Sequence, residues 1–502
     1  MLRLFVVLAA IAVALPAVGQ ETPQTIRIQT FNIWYGGEQV SLGAVADAIR
    51  ASKADIVGVQ ETDGSLAKLA AMTGLTHYDI RRNILSRYPI FDPAVGERMA
   101  PGSGPYSMPP LDEDAVHAFI MIAPGKVIAV ANTHLTSDPY GPDAVRDGQS
   151  ADEVIRIEQD TRVPEATLLA DGLKPVIDKG IPTFLTGDFN TPSHLDWSAA
   201  MVPVRAQVKY SLDWPVSRLL ANAGFADSYR TVHPDPATAP GLTWTAGYPS
   251  PHLKPSETFD RIDWVLYAHA TPIASAVVGE AGGPDVEIGV VPWPSDHRSV
   301  VTTFEVVPAD APAMIAVEPS RVEQHQDFLI RAFEPGFGNW TGVVVPRGGD
   351  PKIEGLTGIA DVSLTDRPSI KLNALTLAPG AYDAVMLGSD GAELARTHFN
   401  VVADNARPSI ALDKTDYAVG DSIAVGWTAA LGERFEWLGV YAKGDPSVYN
   451  YHGYVYAGGH VDGSAIIDSA VFGGPLPPGD YEVRLMRDDH YSVEAVAAFT
   501  VK

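Results

Sequence analysis

Asp188 and Asn190 stand two residues apart in Thr186-Gly187-Asp188-Phe189-Asn190, directly after the apolar run Ile181-Pro182-Thr183-Phe184-Leu185. A buried strand is predicted to end where these two oxygen-bearing side chains begin. In extended chain a spacing of two puts both on one face. A carboxylate beside a carboxamide is hard-oxygen chemistry, suited to Mg²⁺ and to a phosphoryl oxygen. Taken alone, the segment fits a polar strand end equally well.

Other strand ends carry the same kind of residue. Ile26-Arg27-Ile28-Gln29-Thr30-Phe31-Asn32 alternates and delivers Asn32, and Asp55-Ile56-Val57-Gly58-Val59-Gln60-Glu61 ends in an amide and a carboxylate. Val127-Ile128-Ala129-Val130-Ala131-Asn132-Thr133-His134 ends in a histidine. Arg261-Ile262-Asp263 opens a strand, and Ser295-Asp296-His297 precedes another. One such residue is ordinarily a turn former or a solvated end, but six sites in order are hard to dismiss.

The set resembles the endonuclease/exonuclease/phosphatase superfamily of Mg²⁺-dependent phosphoesterases. The matching segments are Thr30-Phe31-Asn32, Gln60-Glu61, Ile84-Leu85-Ser86-Arg87-Tyr88-Pro89-Ile90, Asn132-Thr133-His134-Leu135, Gly187-Asp188-Phe189-Asn190, Arg261-Ile262-Asp263 and Ser295-Asp296-His297. They span roughly residues 25–306. The resemblance implies an α/β catalytic domain, a four-layer α/β sandwich of two packed sheets with outer helices. It also implies a cofactor, Mg²⁺ or Mn²⁺ in its place, with Glu61 as the main carboxylate ligand and Asn32 and Asp296 completing or bordering the metal site.

By the same resemblance, Asp188 positions or deprotonates the attacking water and Asn190 holds a phosphate oxygen. His297, oriented by Asp263, contacts the phosphate or acts as an acid/base group, and a carboxylate behind an imidazole fixes its tautomer. His134 is a second imidazole at the phosphate. Some abasic-site members have tyrosine there, so His134 points toward the DNase, phosphatase and sphingomyelinase branches. The chain has no cysteine, which removes a thiolate nucleophile.

Weaker candidates surround this set. Arg81-Arg82 could meet a phosphate, although a solvated basic pair is the expectation. His194 could line a cleft or sit in a turn. Trp34, Trp244 and Trp293 could stack on a substrate ring, with core packing as the default.

Met1 to about Gly19 reads as a secretory signal peptide: Arg3, an apolar run from Leu4 to Leu15, then small residues. That predicts an exported protein, secreted or periplasmic. With no cysteine there are no disulfides, so stability must come from packed cores. The formal charge of −25 disfavours a passive polyanion binder, because such affinity rests on Lys and Arg against phosphates.

Pro308-Ala309-Asp310-Ala311-Pro312-Ala313 reads as a linker, and beyond it the chain repeats itself. Trp340-Thr341-Gly342-Val343 parallels Trp437-Leu438-Gly439-Val440, and Gly349-Asp350-Pro351 parallels Gly444-Asp445-Pro446. Leu377-Ala378-Pro379-Gly380-Ala381-Tyr382 parallels Leu476-Pro477-Pro478-Gly479-Asp480-Tyr481. Short alternating runs between Gly/Pro turns predict two all-β sandwiches, immunoglobulin-like. The expected domains are 1–19 signal peptide, 20–307 catalytic, 308–404 and 405–502 sandwiches. Pro101–Pro110, rich in Gly and Pro, reads as an inserted loop.

The sandwiches show no catalytic constellation, so a spacer or docking role is the default. Tyr449, Tyr451, Tyr454 and Tyr456 could form a strip for cell-surface, glycan or lipid contact, but ordinary strand formers are the favoured reading. Function then points to a metal-dependent phosphoric ester hydrolase acting on a phosphodiester or phosphomonoester. A nuclease on extracellular nucleic acid and a non-catalytic binding protein are the alternatives.

Overall fold

The computed structural model describes residues 22–93, 116–335, 340–352, 356–359, 369–433, 435–487 and 491–502. The signal-peptide segment and the Pro101–Pro110 loop lie outside them. Through residue 310 the elements run β1 (Gln24–Asn32), α1 (Leu42–Ser52), β2 (Ile56–Gln60), α2 (Leu66–Thr73), β3 (His77–Asp79), β4 (Ile84–Ser86), β5 (Ile90–Phe91), β6 (His117–Ala123) and β7 (Lys126–His134). They continue with α3 (Gly141–Arg146), α4 (Ala151–Asp160), α5 (Arg162–Asp178), β8 (Thr183–Asp188), α6 (Pro215–Asn222), β9 (Ala226–Asp227) and α7 (Ser228–Val232). β10 (Asp263–Ala268), β11 (Thr271–Glu280), β12 (Ile288–Val290), β13 (Ser299–Val306) and β14 (Ala309–Asp310) complete this part.

One sheet has the order β12-β11-β13-β1-β2-β4-β3, the other β5-β6-β7-β8-β10-β9 with β14 on β7. Strands covered on both faces read as continuous apolar runs rather than alternating ones, and β2 and β8 are buried at every position. Ile28 and Ile56 of the first sheet share a core with Ile120, Val130 and Phe184 of the second. The opposite face of the first sheet packs on α1 and α2 through Val57, Val45 and Leu69. The second sheet packs on α5 and α6 through Leu185, Leu169 and Leu220. Each such fully buried side chain contributes about 1.5–3 kcal/mol.

Local signals set the helix ends. Ser41 caps α1 by accepting from the Ala44 N–H, and Ser150 with Glu153 forms a reciprocal capping box on α4. Gly58 matters for closeness: a Cβ there would overlap Thr186 Oγ1 and Asn132 Oδ1 from the other sheet. That contact lets Asn132 donate to the Val59 carbonyl at 2.9 Å, tying the sheets together just beneath the strand ends.

Residues 308–313 are not a free linker. β14 pairs antiparallel with β7, Ala309 opposite Val127, because β7 otherwise leaves ladder groups open there. Next come β15 (Met314–Glu318), β16 (Arg321–Glu323), β17 (Asp327–Phe333), β18 (Trp340–Pro346), β19 (Leu356–Ile359), β20 (Ser369–Asn373), β21 (Gly380–Gly388) and β22 (Glu393–Val402). The last eight are β23 (Ser409–Leu412), β24 (Asp416–Tyr417), β25 (Ile423–Thr428), β26 (Trp437–Ala442), β27 (Gly453–Tyr456), β28 (Gly463–Ile467), β29 (Gly479–Met486) and β30 (Val493–Val501).

The first set forms sheets β15-β17-β20 and β16-β22-β21-β18-β19, and the second forms β23-β25-β28 and β24-β30-β29-β26-β27. The two orders correspond strand for strand, as the sequence parallels lead one to expect. Each set has its own core, one around Phe328, Tyr382 and Phe399, the other around Trp427, Tyr481 and Phe499. Among the described residues no helix is long and apolar enough to cross a membrane.

Candidate active site

Strand register brings the polar ends together. β1 and β2 run parallel with Asn32 opposite Gln60, so Glu61 follows directly beside it. β7 and β8 run parallel with His134 opposite Asp188, and β10 runs antiparallel to β8 with Asp263 opposite Asp188. Three of the expected residues are thereby neighbours through backbone pairing alone. The chain between β12 and β13 brings Asp296 and His297 to the same end.

Side chains join the two sheets here. The Asn32 amide donates to Glu61 Oε1 at 2.9 Å and to Asp188 Oδ2 at 3.0 Å. His297 Nδ1 lies 3.0 Å from Asp263 Oδ2, and its Nε2 lies 3.5 Å from Asp188 Oδ2. His134 Nε2 approaches the same Asp188 oxygen at 3.5 Å. Asn190 turns back in the left-handed region (φ 49°), with its backbone N–H on Asp188 Oδ1 and its side-chain amide on the Leu135 carbonyl. The turn after β1 is also left-handed at Trp34 and Tyr35. Its N–H groups donate to Asn32 Oδ1 at 3.0 Å and Glu61 Oε2 at 2.8 Å, fixing both side chains.

Burial opposes a charged His297, but the Asp263 and Asp188 carboxylates outweigh it and raise the imidazole to about 10. Burial also holds Asp263 above its usual range. It pushes Asp296 up to about 7, with His297 opposing the shift and Glu61 reinforcing it. Acids crowded this closely resist ionising together.

The donor chemistry fits a hard divalent ion. Asn32, Glu61 and Asp296 offer oxygens, and Glu61 and Asp296 line one cleft. Asp188, Asp263 and His297 each bring a ligand-type atom within 4.8 Å of the others. In that second group His297 Nδ1 already pairs with Asp263, so it reads as a hydrogen-bonded relay as readily as a ligand set. Few protein ligands and mainly oxygen are what Mg²⁺ accepts.

The cleft has a volume of about 660 Å³ and is lined by Glu61, His134, Asp188, Asn190, Asp296 and His297, with Trp34 and Trp244 at its side. Trp244 packs on His297 with ring centroids 4.6 Å apart. Trp293 instead belongs to the core: it is buried against Phe31 and donates Nε1–H to the His297 carbonyl at 2.8 Å. His194 bonds Ser217 at 2.8 Å and is not among the residues lining the cleft. Arg81 and Arg82 are not a solvated pair. Arg82 is buried and Arg81 partly so, in ion pairs with Asp79 and Asp92, because two cations packed there need acids to offset their desolvation.

Several contributors escaped sequence reasoning. Glu165 on α5 accepts from Thr136 N and Oγ1 at 3.0 and 2.8 Å, holding the turn after His134. Tyr35, Tyr140 and Tyr248 line the cleft. So do Trp437, Tyr449, Tyr451, Tyr454, Tyr456 and Tyr491 of the last unit. Tyr449 and Tyr451 precede β27, so strand propensity does not account for them. The sequence signal was the cluster of tyrosines, but nothing local said which way it faced.

Residues 30–297 match the Endonuclease/Exonuclease/phosphatase family. An uncharacterized protein of Caenorhabditis elegans, F14F9.5, is 30% identical over 260 residues, covering 49% of this chain and 79% of that protein. A solved endonuclease/exonuclease/phosphatase of Beutenbergia cavernae is 18% identical, covers 75% of this chain and 100% of its own, and has a TM-score of 0.35. The 3'-5' exonuclease NExo of Neisseria meningitidis is 18% identical, covering 55% of this chain and 98% of its own, with a TM-score of 0.34. Truncated Caenorhabditis elegans TDP2 is 17% identical, covering 56% of this chain and 98% of its own, with a TM-score of 0.33. The family match spans more than half of the chain and contains every polar strand end described above, so the chain belongs to the Endonuclease/Exonuclease/phosphatase family, whose members are hydrolytic phosphoesterases.

Proposed function

We propose that this protein is an exported Mg²⁺-dependent phosphoesterase that hydrolyses a small phosphodiester or phosphomonoester by in-line attack of water. The observation that carries the reading is Asp188, held by Asn32 at 3.0 Å with His134 and His297 each 3.5 Å from the same oxygen. Asp188 orients the attacking water and takes its proton. His297 donates to a phosphate oxygen, and Asp263 behind it fixes the ring. His134 meets the phosphate from the β7 side. Asn190 has one amide hydrogen engaged by Leu135 and offers the other to phosphate.

Glu61, Asn32 and Asp296 are assigned to the metal. When bound, the cation neutralises phosphate charge and favours the leaving oxygen. We read the catalytic region as a four-layer α/β sandwich, the β15–β22 and β23–β30 units as immunoglobulin-like sandwiches, and residues 1–19 as an export signal.

The test is release of p-nitrophenolate from bis-p-nitrophenyl phosphate and from p-nitrophenyl phosphate, with Mg²⁺ and then EDTA, beside Glu61→Ala. Metal-dependent turnover lost in the variant is expected. Equal rates with EDTA, or an unimpaired variant, would remove Glu61 from the metal site and the mechanism with it.

A further inference from the structure

The catalytic cleft is closed on one side by the last unit of the chain. Trp437 lies on β26, Tyr454 and Tyr456 on β27, and Tyr449, Tyr451 and Tyr491 on neighbouring loops; all face the cleft. The rings brace one another edge to face. Trp437 meets Tyr451, Tyr454 and Tyr491 at centroid distances of 5.4, 5.6 and 5.7 Å.

The wall is anchored to the catalytic unit at separate points. Phe435 is buried in the core cluster of the second sheet, and Tyr456 packs on the same cluster. Arg487 Nε stands 3.7 Å from Asp63 Oδ1, in the turn after Glu61. Tyr491 meets Tyr35 edge to face at 6.5 Å. Such anchoring makes the aromatic surface a fixed part of the cleft.

Charge narrows what this wall meets. Among the described residues lining the cleft, Lys254 is the single Lys or Arg, and its ammonium sits over the Tyr248 ring, 3.7 Å from the centroid. Carboxylates at Asp138, Asp143 and Glu257 also line the cleft. A polynucleotide or polyphosphate groove needs cations along its length, and this cleft lacks them. Aromatic faces instead favour a flat or apolar ring.

We propose that the last unit supplies the specificity wall of the active site. Tyr449 and Tyr451 would hold an uncharged, ring-bearing organic group of a small phosphate ester while the catalytic unit holds the phosphate. This rests on the phosphoesterase reading for the reaction, though not for the binding.

The experiment uses the full chain and p-nitrophenyl phosphodiesters whose second ester is thymidine, cyclohexyl, methyl or choline. Ring esters should exceed the methyl ester about tenfold in kcat/KM, mostly through KM, since stacking on one aromatic is worth about that factor. Tyr449→Ala and Tyr451→Ala should pull the ring-to-methyl ratio toward one, and Tyr449→Phe should restore it. The thymidine and cyclohexyl arms distinguish a planar base from a saturated ring. Equal rates for ring and methyl esters, an unchanged ratio in both alanine variants, or a preference for the choline ester would overturn the proposal. Failure of all four esters with Mg²⁺ would instead overturn the phosphoesterase reading. Calorimetry then decides the wall: tighter binding of thymidine 5'-phosphate than methyl phosphate, lost in Tyr449→Ala, upholds it, and equal binding overturns it.

Discussion

The Asn32 amide donates to Asp188 Oδ2 at 3.0 Å, joining the end of β1 in one sheet to the end of β8 in the other. The same amide also donates to Glu61 Oε1 at 2.9 Å, so it stands between two acids that otherwise repel each other. Removing it leaves buried acceptors short of a donor. Asn32→Ala is expected to lower kcat/KM by about 10²–10³, the usual cost of a lost positioning donor, while the circular dichroism spectrum stays native. Steady-state kinetics on a p-nitrophenyl diester checks this; activity within a few-fold of wild type would show that Asp188 needs no such support.

Asp263 and His297 form the second pairing, Oδ2 to Nδ1 at 3.0 Å. An amide in place of the carboxylate can hold the ring in the wrong tautomer and no longer favours its protonated form. Asp263→Asn should therefore reduce kcat by about 10²–10⁴ with little change in KM. A KM effect alone would instead place Asp263 in substrate binding.

Much of this site was legible because it is built from strand ends. An apolar run that stops at Asn32, Glu61, His134 or Asp188 announces where the sheet delivers a polar group, and parallel pairing turns several such ends into neighbours. The tandem repeat was legible for the same reason, since turns and aromatic spacing recur. Long-range placement left no such trace. Arg82 resembled a surface cation, yet its partners Asp79 and Asp92 bury it. Glu165 sits in an ordinary amphipathic helix, and only tertiary packing brings it to Thr136. Tyr449 and Tyr451 face the catalytic cleft because one folded unit docks on another, which no local pattern encodes.

His117, the first residue of β6, offers a pH test. It is fully buried, and that burial, followed by the nearby Arg82 cation, pushes its imidazole down to about 3 from 6.5. Between those values the unfolded chain binds a proton that the folded site resists. Its contribution is therefore complete above about 6.5 and is lost as pH falls toward 3. Thermal melts from pH 7 to pH 4 should show wild type losing stability more steeply than His117→Gln. Parallel slopes would mean that His117 takes up its proton in the folded state.

Two shortened chains separate the roles of the C-terminal units. Ending at Pro308 removes β14 from the edge of β7, the bridge between Asp92 and Ile315 and the Thr397 hydroxyl bond to Asp92. It also strips Ala311, Met314 and Ala316 from the core of the second sheet. Burying small and medium side chains like these contributes on the order of several kcal/mol in sum, and Asp92 would face Arg81 and Arg82 without its Thr397 donor. Ending at Val402 retains all of these contacts and removes only the unit bearing the aromatic wall. The chain ending at Pro308 should thus melt well below the full-length protein. The chain ending at Val402 should melt closer to it, keep turnover of a methyl p-nitrophenyl diester and lose its preference for ring-bearing esters. Equal melting temperatures for the two shortened chains would show that β14 and β15 contribute little to the catalytic core, and ring preference persisting without the last unit would place ring recognition at Trp34 and Trp244 instead.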